Sequence, residues 1–273
     1  MSVKNLDPDA GPLARFGCEL RKLRIDKGLT LEQLADRVGF SPSLVGSVER
    51  AARNPSKDFT ERCEEALGLS GELLARWPSI SRERSPKWFR PWLEIEQSAT
   101  VLRTWQPLIV PGLLQTTDYA RAIFNGKPGT TKEQAEEALT ARMERQAIFA
   151  RSNPPMFWAV LDEGILYRPI GGEAVTRHQF EHLIALAEST RITIQVLPYS
   201  ALSTTGLLGG FVLAQANGMP DAAYLESAGQ GQVRDAPDEV ADLSVRYEAI
   251  RAEALPQHVS LKLIKERLMA AWN

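Results

Sequence analysis

The stretch LTLEQLADRVGFSPSLVGSVERAARNPS, from Leu29 to Ser56, constrains the fold more tightly than any other part of the chain. Thr30 is a capping residue, and Leu31, Leu34, Ala35 and Val38 follow it at the spacing of one helical face. Gly39 supplies the positive φ that a tight turn with Phe40 requires. Ser41 caps again, and Pro42 falls at the favoured first position of a further helix that runs to about Arg50. Ala35 is small where two helices must cross closely. Val45 and Val48, three apart, are predicted to bury, which leaves Pro42, Ser43, Gly46 and Ser47 facing outward.

Two short helices across a glycine turn form a helix-turn-helix, in which one helix braces and the second enters the major groove. Double-stranded DNA is therefore the expected partner. The alternative is a fold that serves protein binding alone, with Glu49–Arg50 a plain surface pair and Arg53 a solvated cation. Net charge does not favour DNA: the chain carries −2, and residues 1–80 hold 12 Lys+Arg against 12 Asp+Glu. Affinity must come from where the charges sit.

Helical patterns flank the motif. After a polar, proline-containing arm, a helix from Pro12 to about Lys27 sets Phe16, Leu20 and Leu23 on one stripe among Arg15, Arg21, Lys22 and Arg24, and Gly28 stops it. KDFTERCEEAL and GELLARW predict two more short helices. In SISRERSPKWFR the local net charge rises to +3, which marks a boundary. The reading is a helix-turn-helix domain at 1–80, a basic linker at 81–90 and a second domain at 91–273.

A chain of 273 residues has room for both, and 44% hydrophobic with 24% charged residues is ordinary for a globular protein. No N-terminal apolar region and no run of about 18 apolar residues is present, so a cytoplasmic protein without membrane association is expected. Cys18 and Cys63 form neither a disulfide framework nor a metal-ligand spacing. Cys63 lies at helical spacing from Phe59 and Leu67 and is expected to be a buried thiol. Arginine's excess over lysine points to a GC-rich genome.

The second domain reads as α+β. Helices are predicted over Leu93–Leu102, Thr117–Phe124, Lys132–Ala150 and Ala174–Glu188, and again from about Glu239. Strands are predicted at MFWAVLD, RITIQVLP, GGFVLAQ and AAYLE. The order from Met156 to Pro198 suggests a βαβ unit, and the last two strands a hairpin turning near Gly218 and Pro220. VPGLLQTTDYARA is a turn entering a helix capped by Thr116 or Thr117, with Tyr119 and Ala120 inward.

An enzyme housed in residues 91–273 is the least favoured alternative, since no catalytic constellation there is complete. His178, Glu181 and His182 fit H-x-x-E-H, but no third ligand helix follows, and His258 is the one histidine elsewhere. Asp162–Glu163 reads as a strand end turning into a helix cap. Gly229, Gly231, Gly171 and Gly172 lack the pattern of a phosphate loop, and Ser203–Gly206 is a loop. Trp88, Phe89, Trp92 and Trp105 either found the second core or form a partner surface. Neither cofactor nor metal is expected.

LRKLRIDKGLT, LEQLADRVGFS and SLVGSVERAARNPS make residues 13–77 resemble the Xre, or phage-repressor-like, helix-turn-helix family. By that resemblance Ser43 and Ser47 fall at base-reading positions, and Arg50, Arg53 and Asn54 at phosphate contacts. The candidate DNA-contacting set is Arg37, Ser41, Pro42, Ser43, Leu44, Gly46, Ser47, Arg50, Arg53, Asn54 and Lys57. The recognition helix offers Pro, Ser and Gly in place of the Arg, Asn or Gln that make bidentate base contacts. Leu31 stands where many relatives have a glutamine. Modest direct readout is expected, with phosphate positioning, Leu44 against thymine methyls and DNA shape carrying specificity.

VPGLLQTTDYARA, RMERQ, VLDEGILYRPIGG, QVLP and GGFVL make residues 88–273 resemble the C-terminal domain of a large actinobacterial regulator family, described as antitoxin-like or WhiJ-like. The resemblance implies an Xre-type N-terminus, a small partner protein encoded nearby, and partner or effector sensing. A homodimer on two half-sites is the expected assembly.

Overall fold

The computed structural model describes residues 6–77, 79–80, 85–217 and 221–270. The chain divides into two compact units, Met1–Ser85 and Pro86–Asn273. Residues 81–84 of the expected linker, and the Gly218–Pro220 turn, lie outside the described residues.

In the first unit, α1 spans Pro12–Asp26, α2 Leu31–Val38, α3 Pro42–Glu49 and α4 Lys57–Leu67. Each start is fixed locally. Pro12 and Pro42 sit in the first helical turn, where no N–H is needed, and Ser41, Ser56 and Thr30 accept the first free backbone N–H groups. The four helices enclose Phe16, Leu20, Leu34, Ala35, Val45, Val48, Phe59, Cys63 and Leu67. Residues 72–76 of the expected GELLARW helix instead form successive turns. The buried carboxylate of Glu64 explains them: it accepts the backbone N–H groups of Gly71, Leu73 and Leu74 at 2.9, 2.5 and 2.9 Å, satisfying donors at the start of this segment.

The second unit is α+β. Its helices are α5 (Arg90–Ser98), α6 (Thr117–Asn125), α7 (Lys132–Arg145), α8 (Glu173–Leu186), α9 (Pro237–Glu253) and α10 (Gln257–Met269). Its strands are β1 (Val101–Gln106), β2 (Met156–Asp162), β3 (Ile192–Leu197), β4 (Phe211–Gln215), β5 (Ala222–Leu225) and β6 (Gln232–Arg234), in the order β3-β2-β1-β4-β5-β6. β1, β2 and β3 run parallel, and β4, β5 and β6 continue the sheet antiparallel. The βαβ unit from β2 through α8 to β3 and the β4–β5 hairpin match the sequence reading.

Three corrections follow. The helix predicted over Leu93–Leu102 ends at Ser98, because VLRTWQ is a strand between β2 and β4, with Leu102 on one face and Trp105 on the other. The helix predicted over Lys132–Ala150 tightens into a 3₁₀ helix at Gln146–Ala150. A further short strand, β6, pairs with β5 beyond the expected hairpin. Each sheet face carries a core. Trp92, Leu102, Phe157, Ile194, Phe180 and Ile264 fill one, and Trp105, Val160, Phe211, Tyr247 and Ile250 the other. Trp88 and Phe89 pack against the first with Trp92, so Trp105 is separated from the other three aromatics by the sheet.

Candidate nucleic-acid interface

Each junction of the α2–turn–α3 segment is fixed by more than one contact. Thr30 and Gln33 form a reciprocal capping box at the start of α2, with bonds of 3.2 and 2.8 Å. Gly39 ends α2 in the left-handed region at φ 70°. Phe40 then tucks its ring 5.3 Å from Phe59, and the Arg62 guanidinium lies 5.5 Å over it. Ser41 accepts the Leu44 N–H at 3.2 Å and launches α3.

Two contacts between α1 and α3 set the pitch of the second helix. Gly17 admits the end of α3: a Cβ there would lie 2.7 Å from the Val48 carbonyl oxygen and 2.9 Å from that of Glu49. Two helical turns further on, Arg24 meets Glu49 through two charge-assisted bonds of 2.5 and 2.8 Å, and also donates to the Leu29 carbonyl at 2.8 Å. Hydrogen bonding to Glu49 holds the Arg24 guanidinium above its ordinary pKa against the cost of burial. Glu49 is therefore buried, not half of a surface pair with Arg50. Sequence reasoning missed Gly17, Arg24 and Glu49 as positioning groups, although Gly17 and Arg24 lie seven apart on one face of α1.

With Val45 and Val48 fully buried, α3 turns Pro42, Ser43 and the half-buried Leu44 and Ser47 outward, and the capping residue Ser41 is exposed beside them. Gly46 departs from the expectation: it is buried, because the Arg50 side chain folds back over it. Arg37 on α2, Arg50 at the end of α3 and Arg53 beyond it are exposed, and among the described residues no carboxylate lies within ion-pairing distance of them. Asn54 is half-buried in the loop before α4, and Lys57 at the first turn of α4 pairs with Glu61 at 3.2 Å. The candidate residues thus surround one exposed helix face and its flanks. Ala51 closes α3 at φ 54°, with its own N–H bonded to Val48 and that of Ala52 to Ser47.

In the second unit the recurrent-looking motifs converge on one another. Gln115 donates to the Val110 carbonyl at 2.7 Å and accepts from Arg142 at 2.8 Å. Gln146 donates to the carbonyls of Gly112 and Gln115, and Gln179 of α8 bridges the Leu114 carbonyl and the Thr116 N–H at 2.8 and 2.7 Å. Arg145 grips the buried Glu96 of α5 through bonds of 2.8 and 2.6 Å. Burial, with repulsion from Arg145, lowers Arg142 to about 10, so it stays cationic at neutral pH. Thr116 caps α6, with Tyr119 and Ala120 inward, as expected.

The tempting enzyme-like groups have structural partners. Asp162 caps the turn through the Gly164 N–H, and Glu163 accepts from the Tyr167 hydroxyl and the Tyr199 N–H. His178 and Glu181 are 3.9 Å apart on an exposed face, and burial with the neighbouring His178 lowers the His182 pKa. Among the described residues no three His, Cys, Asp or Glu side chains are grouped to hold a metal.

Residues 89–266 match the family described as "Domain of unknown function (DUF5753)". The chain belongs to the DUF5753 family. Residues 15–77 of this DUF5753 protein match the family described as "Helix-turn-helix domain". It is similar to an uncharacterized HTH-type transcriptional regulator, y4dJ, of Sinorhizobium fredii, at 41% identity over 54 residues, covering 20% of this chain and 70% of the relative. It is similar to the HTH-type transcriptional regulator SinR of Bacillus subtilis, at 28% identity over 102 residues, covering 30% of this chain and 92% of SinR. It also resembles an uncharacterized HTH-type transcriptional regulator, YazB, of Bacillus subtilis, at 35% identity over 60 residues, covering 22% and 87% of the two chains. No solved structure matches. No described helix is long and apolar enough to cross a membrane.

Proposed function

We propose that this DUF5753 protein is a DNA-binding transcriptional regulator that docks the outward face of α3 in the major groove, with Arg37 and Arg53 on flanking phosphates. The observation that carries the reading is the pairing pattern of the charges. Residues 1–80 are neutral by count, and among them the buried Arg24 is matched by Glu49, whereas Arg37, Arg50 and Arg53 around the α3 face have no acidic partner among the described residues. Such cations are free to displace counterions from a duplex. The similarity of this unit to HTH-type transcriptional regulators supports the same reading.

In this proposal the protein is cytoplasmic and acts as a homodimer on paired half-sites. Its second unit binds a small partner protein or effector, in the manner of an antitoxin, and performs no catalysis. What supports binding over catalysis is that Asp162, Glu163 and the polar groups of the converging motifs are engaged in holding the fold. Leu202, Leu207 and Leu208 are 92%, 74% and 85% exposed, the kind of apolar surface that associating proteins carry.

The test is selection from a pool of random-core duplexes by the full chain. Enrichment of a defined motif is the expected result. Failure to retain any duplex at low salt overturns the regulator reading.

A further inference from the structure

We propose that Arg50 is the base-reading side chain of this interface, its guanidinium laid back along α3 into the slot that Gly46 leaves open, where it meets a guanine in the major groove. This rests on the DNA-binding reading above and assigns Arg50 a role other than the phosphate contact implied by family resemblance.

Helical spacing places Ser43, Gly46, Ser47 and Arg50 at i, i+3, i+4 and i+7, on one stripe of α3 and its C-terminal end. Long side chains of an α-helix lean back over the turn N-terminal to their own Cα. The missing side chain at Gly46 lets Arg50 lie close against that turn. Its Nη1 atom lies 3.0 Å, and its Cζ and Nη2 atoms 3.7 Å, from the point a Cβ of Gly46 would occupy. The guanidinium therefore sits about one turn back from its own Cα, level with Gly46 and Ser47. That placement explains why Gly46 is buried on an otherwise outward stripe. A larger residue at 46 would crowd the guanidinium out of this slot.

The charge is also available. The neighbouring acid, Glu49, faces inward and is held by Arg24, and no carboxylate among the described residues pairs with Arg50. The other polar side chains on the stripe are the hydroxyls of Ser43 and Ser47, which accept and donate alike and discriminate poorly between bases. Arg50 alone on the stripe presents a fixed fork of donors matching the O6 and N7 acceptors of guanine. Arg37 and Arg53 lie on α2 and beyond α3, off the stripe, where a cation meets the backbone of the duplex.

The experiment compares the full-length wild type with Arg50→Ala, Arg50→Lys and Arg53→Ala, by selection from a random-core duplex pool followed by affinity measurements over a salt series. The wild type is expected to fix a guanine in each half-site. Arg50→Ala is expected to lower the preference for that guanine by roughly 5- to 150-fold, with the rest of the motif unchanged. Arg50→Lys keeps the charge and is expected to lose the same preference. Arg53→Ala is expected to weaken all sequences alike and keep the motif. The proposal is overturned if Arg50→Ala retains the guanine and only weakens every sequence equally, with the salt slope reduced by about one. If the wild type binds no duplex, the DNA-binding reading falls and this assignment with it; loss confined to Arg50→Ala cannot arise that way.

Discussion

Arg24 of α1 and Glu49 of α3 close a two-bond ion pair in the interior of the first unit, and this pair ties the exposed face of α3 to the helix that braces it. The side chains are only 10% and 5% exposed, so removing one partner leaves the other charged and buried. Glu49→Ala is expected to cost about 3–5 kcal/mol of stability, because an uncompensated buried cation remains. Arg24→Ala should cost a similar amount, and the double variant less than the sum. Chemical denaturation of the three proteins measures this, and additive losses would show that the two groups do not act together.

Gly17 makes the same connection by steric means. Gly17→Ala places a methyl group 2.7 Å from a backbone carbonyl of α3, so the helix must move. We expect a loss of about 1–3 kcal/mol. DNA affinity should fall as well, since the moving element carries the candidate reading face. Stability and affinity unchanged from wild type would contradict the packing described.

Ala51 stands at a left-handed position that glycine adopts without steric cost. Ala51→Gly should therefore stabilise the chain by about 1 kcal/mol, seen as a melting temperature raised by several degrees. A lower melting temperature would mean that the positive φ is not occupied in solution.

Cys63 gives a pH dependence of defined sign. Desolvation, reinforced by Glu49 and Glu64, pushes its thiol up to about 12. A thiol with a raised folded pKa stabilises the protein fully below the unfolded value, and that contribution is lost as pH rises through the folded one. The loss should run from about pH 8.5 to about 12 and be absent in Cys63→Ala. At pH 8 in the native protein, a thiol reagent is expected to modify the half-buried Cys18 and not Cys63. Equal reaction of both thiols would refute the burial.

The first unit was largely legible because its information is local. Thr30, Gly39, Ser41 and Pro42 each determine the backbone within a turn of themselves, and the Phe59–Cys63–Leu67 stripe needs no distant partner. What the sequence hid was pairwise and long-range. Nothing near Glu49 announces Arg24, and Gly46 looks outward until the Arg50 side chain is placed over it. In the second unit, β1 carries a weak strand pattern because VLRTWQ interrupts its apolar residues with Arg103 and Thr104. Their partners, Glu248 and the Phe211 carbonyl, lie more than a hundred residues away. The VPGLLQT segment was recognisable as a motif, but not as a loop whose backbone is held by Gln179, Gln146 and Arg142 from other elements.

Gln179 shows what that motif contributes. Its side-chain amide bonds two buried backbone groups, those of Leu114 and Thr116. Gln179→Ala leaves both unpaired and is expected to cost about 2–4 kcal/mol in denaturant unfolding of the second unit. A cost near zero would show that water or another group replaces the amide.

The central claim is that exposed, unpaired cations around α3 bind a duplex through its phosphates. Its most direct test is the salt dependence of binding of the full chain to its selected duplex, measured by fluorescence anisotropy for the wild type, Arg37→Ala and Arg53→Ala. Log affinity is expected to fall linearly with log salt concentration, with the slope reduced by about 0.9 in each variant. Affinity that does not change with salt, or identical slopes for all three proteins, would contradict it.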